Sequence, residues 1–177
     1  MNEELIAEAE KYWQAGQGLE AGRLLFEALP QSRRPGWGAE VLALVTQYVP
    51  SVPEIATVLE IANDKDRWDE ARDAFSAVRA LTLQAEKQRG APPVYEGMLM
   101  LAENVAKITH NAISLTLSDV ITAIYSQIDP AYSWTGFDKE TGWWIASNLL
   151  FIANHLDDPE FGIKAWRTLI APYCSAS

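Results

Sequence analysis

The chain holds only two histidines, His110 and His155, so acid–base or metal chemistry has few places to sit. Glu103 and His110 are seven residues apart and therefore share a helix face. His155 stands close to Asp157, Asp158 and, after a turn, Glu160. A carboxylate-rich site joining both imidazoles would be a metal centre, and Glu103 with His110 alone would suit proton transfer. The structural explanation is stronger. Each histidine falls near the predicted end of its helix, where an imidazole can bond an unpaired carbonyl, and Asp157 and Asp158 already serve as caps. Neither the Glu-x-x-His pair of di-iron bundles nor the His-Glu-x-x-His zinc motif occurs. No metal, cofactor or catalytic residue is therefore expected, with Glu103, His110 and His155 as the alternative metal set.

Other reactive patterns are missing. The single cysteine, Cys174, has no base near it in sequence and reads as inert. No Gly-x-Ser-x-Gly elbow is present, and Gly16-Gln17-Gly18 lacks the rest of either nucleotide-binding pattern. The most unusual feature is aromatic: Tyr132, Trp134, Phe137, Trp143 and Trp144 crowd one loop and the start of one helix. Large rigid rings close helical cores, and they also anchor interfaces. Adjacent tryptophans cannot both face the middle of one helix side, so one of Trp143 and Trp144 must lie at a boundary. As a surface, Trp134, Asp138, Glu140, Trp143 and Trp144 would form an acidic, aromatic binding patch. Asp66, Asp69, Glu70 and Asp73 are a second acidic candidate, better explained as a solvated face paired with neighbouring Arg and Lys.

The elements that position these residues are helices. Apolar residues recur at helical spacing, and strict alternation is missing. A first helix carries Leu5, Ala9, Tyr12 and Trp13 and ends near Gly16 or Gly18, and a short second one carries Leu24, Leu25, Ala28 and Leu29. Pro30 to Gly38 reads as a breaker-rich connection, after which Trp37, Val41, Leu44 and Tyr48 mark a third helix stopped by Pro50. Ser51, Pro53 and Glu54 predict a capping box opening a helix through Ile55, Val58, Leu59 and Ala62. The longest helix is expected to carry Trp68, Phe75, Leu81 and Ala85 inward and to stop at Gly90 and Pro92, and a central one runs from Tyr95 to Asn111, its extra Met100, Leu101 and Ile108 pointing to burial on most sides. A helix from Ser118 through Ile128 is followed by an aromatic loop over 129–137. Asp138 is the expected cap of a helix carrying Trp143 to Leu156, and Asp158-Pro159-Glu160 opens the last.

Leu156-Asp157-Asp158-Pro159-Glu160 with Ala165 and Leu169 resembles the turn of HEAT-type hairpins, and Trp68-Asp69-Glu70-Ala71 with Phe75 resembles the second helix of a tetratricopeptide repeat. Gly36-Trp37 through Pro53-Glu54-Ile55 also echoes Gly142-Trp143 through Pro159-Glu160-Phe161 at an offset of 106 residues. Each likeness is short, and no regular repeat period runs through the chain. The expectation is an all-α single domain over 1–177, with eight or nine helices in antiparallel hairpins. These form either an irregular α-solenoid-like stack or a compact multi-helix bundle.

Composition narrows function by exclusion. The chain has 177 residues, 49% of them hydrophobic, with 24 Asp and Glu against 14 Lys and Arg and a net charge of −10. Each third is negative, which argues against nucleic acid and anionic membrane surfaces. The start, Met1-Asn2-Glu3-Glu4, is acidic where a secretory signal needs positive charge, and no apolar run reaches membrane length, so a cytoplasmic setting is expected. The leading reading is a non-catalytic protein-interaction module that meets a basic protein partner, in the manner of an acidic adaptor, an antitoxin or a toxin-immunity inhibitor. Its rival is a small-molecule binder or metal-assisted enzyme with a pocket between central helices, lined by Met98, Trp143 and Trp144. A homo-oligomer joined through the aromatic patch is a third reading.

Overall fold

The helical spacing is realised throughout a computed structural model, which describes residues 2–113, 124 and 140–174. Among these are eight α-helices: α1 (Asn2–Gln14), α2 (Gly18–Ala28), α3 (Arg34–Thr46), α4 (Pro53–Asn63), α5 (Ala71–Lys87), α6 (Pro93–Asn111), α7 (Trp144–His155) and α8 (Pro159–Cys174). Three 3-10 turns, Gln31–Arg33, Lys65–Glu70 and Thr141–Trp143, precede α3, α5 and α7. No strand occurs among the described residues. The expected helix from Ser118 and the loop over 129–137 lie outside them, apart from Ile124, which is helical.

Local chemistry sets most helix ends. Gly16, at φ 75°, closes α1 with its N–H donating to Trp13 O while Gln17 N–H donates to Tyr12 O. This is the left-handed glycine cap that satisfies the last carbonyls. Asp158 caps α8 as expected, its Oδ1 accepting from Glu160 N–H at 3.0 Å with Pro159 in the first turn. The capping box at Ser51 does not form. Pro53 takes the first position of α4, which makes Val52 the cap and leaves Ser51 outside the helix, its hydroxyl donating to Val52 O at 3.3 Å. Asp138 lies outside the described residues, and the cap position of α7 is held by Trp143.

Three boundaries differ from the sequence reading. The connection at Pro30 to Gly38 already contains the first turn of α3, because Pro35 sits where no amide partner is lost. Trp68 belongs to the 3-10 turn before α5, so the likeness of Trp68 to Ala71 to a repeat's second helix does not hold. Among the described residues the longest helix is α6 with 19 residues, against 17 in α5.

One hydrophobic cluster draws on all eight helices. Its axis is α6, packed against α3, α4, α5 and α7, with Met98, Leu99, Leu101, Ala102 and Val105 wholly buried. Met100 departs from the expected all-round burial and is 46% exposed. The ends of the chain meet: α1 touches α8, Asn2 Nδ2 donates to Tyr173 O at 3.1 Å, and the rings of Trp13 and Trp166 lie 5.8 Å apart. Such closure decides for a compact multi-helix bundle, since a solenoid unit contacts only its sequence neighbours. Buried polar groups reinforce it. Trp37 Nε1 donates to Leu169 O, Trp68 Nε1 to Ala62 O and the Tyr173 hydroxyl to Leu25 O, so three large rings are each tied to a carbonyl.

Candidate functional site

Glu103, the first member of the alternative metal set, is buried on α6 and turned toward α5. Its Oε1 accepts from Thr82 Oγ1 at 2.5 Å and lies 3.6 Å from Arg79 Nη1. A donor and a cation compensate the desolvated carboxylate, which makes it a cross-brace between two helices. His110 is half-buried at the end of the same helix, and burial, followed by the charge of Arg72, holds its imidazole below the usual histidine range. His155 is exposed at the end of α7, with Nδ1 2.8 Å from Phe151 O and its ring 4.2 Å from that of Phe151. This is the helix-end carbonyl contact expected on structural grounds. Among the described residues no group of three or more His, Cys, Asp and Glu is placed to hold a metal ion, so Glu103, His110 and His155 are not gathered.

The rival pocket is likewise dispersed. Met98 is wholly buried in the core, Trp143 is half-buried against it, and Trp144 is 46% exposed. The two tryptophans therefore separate, one inward and one to the boundary, because consecutive helical positions point about 100° apart. Phe151, 41% exposed, follows Trp144 by two turns and shares its side of α7. Glu140 is exposed just before the turn that leads into α7. Trp134 and Asp138, the other members of the expected patch, lie outside the described residues.

The second acidic candidate resolves into two parts. Asp66 and Asp69 are exposed, and Asp66 N–H donates to Asp64 Oδ1 at 3.1 Å. Glu70 accepts from Arg67 Nε at 2.6 Å, a bond that holds its carboxyl below the ordinary range, and Arg67 also reaches Glu60 at 3.3 Å. That portion is the paired, solvated face anticipated from the sequence.

Glu70 and Asp73 have a further neighbour that sequence reasoning did not place with them. Glu54, from the first turn of α4, lines with them a cleft of about 310 Å³ between α4 and α5. Pro53, Thr57 and Ile61 supply one wall at four-residue spacing, and Ala74 and Ala77 supply part of the other. Small alanines on α5 leave the room. No basic residue lines the cleft, and neither Glu54 nor Asp73 makes an ion pair among the described residues. A usable signal was the Pro53, Thr57, Ile61 spacing facing an alanine-rich stretch, although the pairing of the two helices is a tertiary fact. The arrangement suits a cation on a hydrocarbon stem: carboxylates at the rim receive the charge, and the apolar walls cover the methylenes.

Comparisons with protein-family models, with curated proteins and with solved structures find no match to this chain.

Proposed function

We propose that the protein is a non-catalytic helical interaction module that receives a basic segment of a partner protein in the cleft between α4 and α5. The observation that carries this reading is the pair of unpaired carboxylates, Glu54 and Asp73, on either side of an apolar floor with no cation among the lining residues. A Lys or Arg entering there gains charge-assisted bonds without having to displace a resident basic group. The net charge of −10 supports it by attracting a basic partner from a distance. Trp144, exposed near Glu140, serves in this reading as a second, aromatic contact for the same partner. An adaptor, an antitoxin and an immunity-type inhibitor all share this chemistry.

The test compares immobilised full-length protein with Glu54→Gln/Asp73→Asn and with Glu3→Gln/Glu4→Gln, a control of equal charge change on exposed residues of α1. A basic protein captured from the native host at low ionic strength should be retained by the wild type and the control. It should be lost by the cleft variant and released by salt. Equal capture by all three chains, or capture indifferent to salt, would overturn the proposal. So would the absence of any captured protein together with a metabolite that raises the melting temperature.

A further inference from the structure

The acidic residues outnumber the basic ones, and three arginines find carboxylates: Arg23 pairs with Glu20 and Glu27, Arg67 with Glu60 and Glu70, and Arg79 with Glu103. One region instead gathers several cations that have no such partner. Arg33 and Lys65, from two 3-10 turns, line a cleft of about 420 Å³, and Arg167 of α8 lines a second of about 420 Å³. The two share Trp37, Glu40 and Pro172, so they form one trough across the ends of α3, α4 and α8. Arg33, Lys65 and Arg167 make no ion pair among the described residues, although each is exposed in a chain of net charge −10.

The floor of the trough is rigid. Trp37 is pinned by its bond to Leu169 O at 3.0 Å and Trp68 by its bond to Ala62 O at 3.3 Å. Lys65 Nζ stands 6.0 Å from the centre of the Trp68 ring, at the outer limit of a cation–π contact. Among the residues that line the trough, three cations stand against the single carboxylate Glu40, on a molecule that is negative overall. Each cleft has the volume of an ordinary small-molecule site, and unpaired guanidinium groups beside the edges of two buried, fixed tryptophans suit an organic anion. We infer that this trough binds a small organic anion through carboxylate or phosphate groups held by Arg33, Lys65 and Arg167, its hydrocarbon part lying against Trp37 and Trp68. It is separate from the α4–α5 cleft and of opposite charge, so each proposal stands or falls without the other.

The test titrates the full-length ¹⁵N-labelled protein with citrate and, separately, with inorganic pyrophosphate at low ionic strength. The assigned indole N–H signals of Trp37 and Trp68 are followed. A saturable shift of both is expected with at least one probe, and the preferred probe distinguishes a carboxylate from a phosphate ligand. Arg33→Gln/Arg167→Gln should weaken binding about tenfold or more. Lys11→Gln/Arg89→Gln, an equal charge change at exposed residues outside the trough, should weaken it less than about twofold. Glu40→Gln should strengthen binding, because it removes the one like charge among the lining residues. All three variants change exposed side chains, and circular dichroism confirms that each is folded. No saturation by either probe in the millimolar range, equal weakening in the two cation variants, or shifts confined to other tryptophans would overturn the inference.

Discussion

Replacing Gly22 with alanine sets two known effects against each other. Gly22 sits inside α2, where alanine is favoured over glycine by about 1 kcal/mol because it loses less backbone entropy on folding. Its position opposes that gain. A Cβ there would stand 2.1 Å from the carbonyl oxygen of Trp143 and 3.0 Å from its carbonyl carbon. These are backbone atoms of the turn leading into α7, and no rotamer change can move them aside. Restoring van der Waals contact needs a separation of α2 from that turn by roughly 1 Å, which opens the packing on both sides. Overpacking of this kind costs about 1–3 kcal/mol, and backbone against backbone belongs at the upper end. The net loss for Gly22→Ala is therefore about 2 kcal/mol, or roughly 4–8 °C in melting temperature for a chain of this size. Gly162→Ala, inside α8 with nothing within 4 Å of the added carbon, keeps the entropic gain alone and should be stabilising by up to about 1 kcal/mol. Urea unfolding followed by circular dichroism at the helical band measures both on one scale. If Gly22→Ala is as stable as Gly162→Ala, the close approach of α2 to the Trp143 turn is wrong.

Two further outcomes follow from the caps and from His110. Asp158→Ala should cost about 1 kcal/mol in the same assay because the Glu160 N–H loses its acceptor, whereas Ser51→Ala should be nearly silent; equal costs would restore the capping box at Ser51. His110 is held below the histidine range by burial and then by Arg72, so the folded state binds its proton less readily than the unfolded chain does. Its contribution is present above the unfolded value near 6.5 and is lost as pH falls from there through the lower folded value. The stability difference between wild type and His110→Gln should shift against the wild type across that window, and a difference independent of pH would refute the assignment.

Much of the helix framework is local and so is legible in the sequence. Apolar spacing set the type of the helices and the place of those among the described residues, Gly16 and Gly90 marked ends with positive φ, and Asp158 with Pro159 opened α8. Local signals misled where two of them competed within a few residues. Ser51 is a good cap, but Pro53 fits the first helical position so well that it moved the start by one residue. Pro35 likewise admitted Gly36 to Gly38 into α3, where glycine-rich sequence had looked like a loop.

The sequence alone determined an all-helical chain, its negative charge and the poverty of its reactive groups, because each of these depends on residue type and near-neighbour spacing. Tertiary packing decided the rest. Trp143 and Trp144 are chemically identical neighbours whose exposure differs because one lies on the core side, and Met100 is exposed on a helix that is otherwise mostly buried. Glu103 became a brace because α5 brings Thr82 and Arg79 to it, from positions more than twenty residues away. The meeting of Glu54 with Asp73, and of Arg33 and Lys65 with the trough that reaches Arg167, joins helices whose orientations no local signal encodes. Helix formation is specified within a turn or two of chain, whereas the faces that meet are chosen by how all eight helices bury their apolar sides at once.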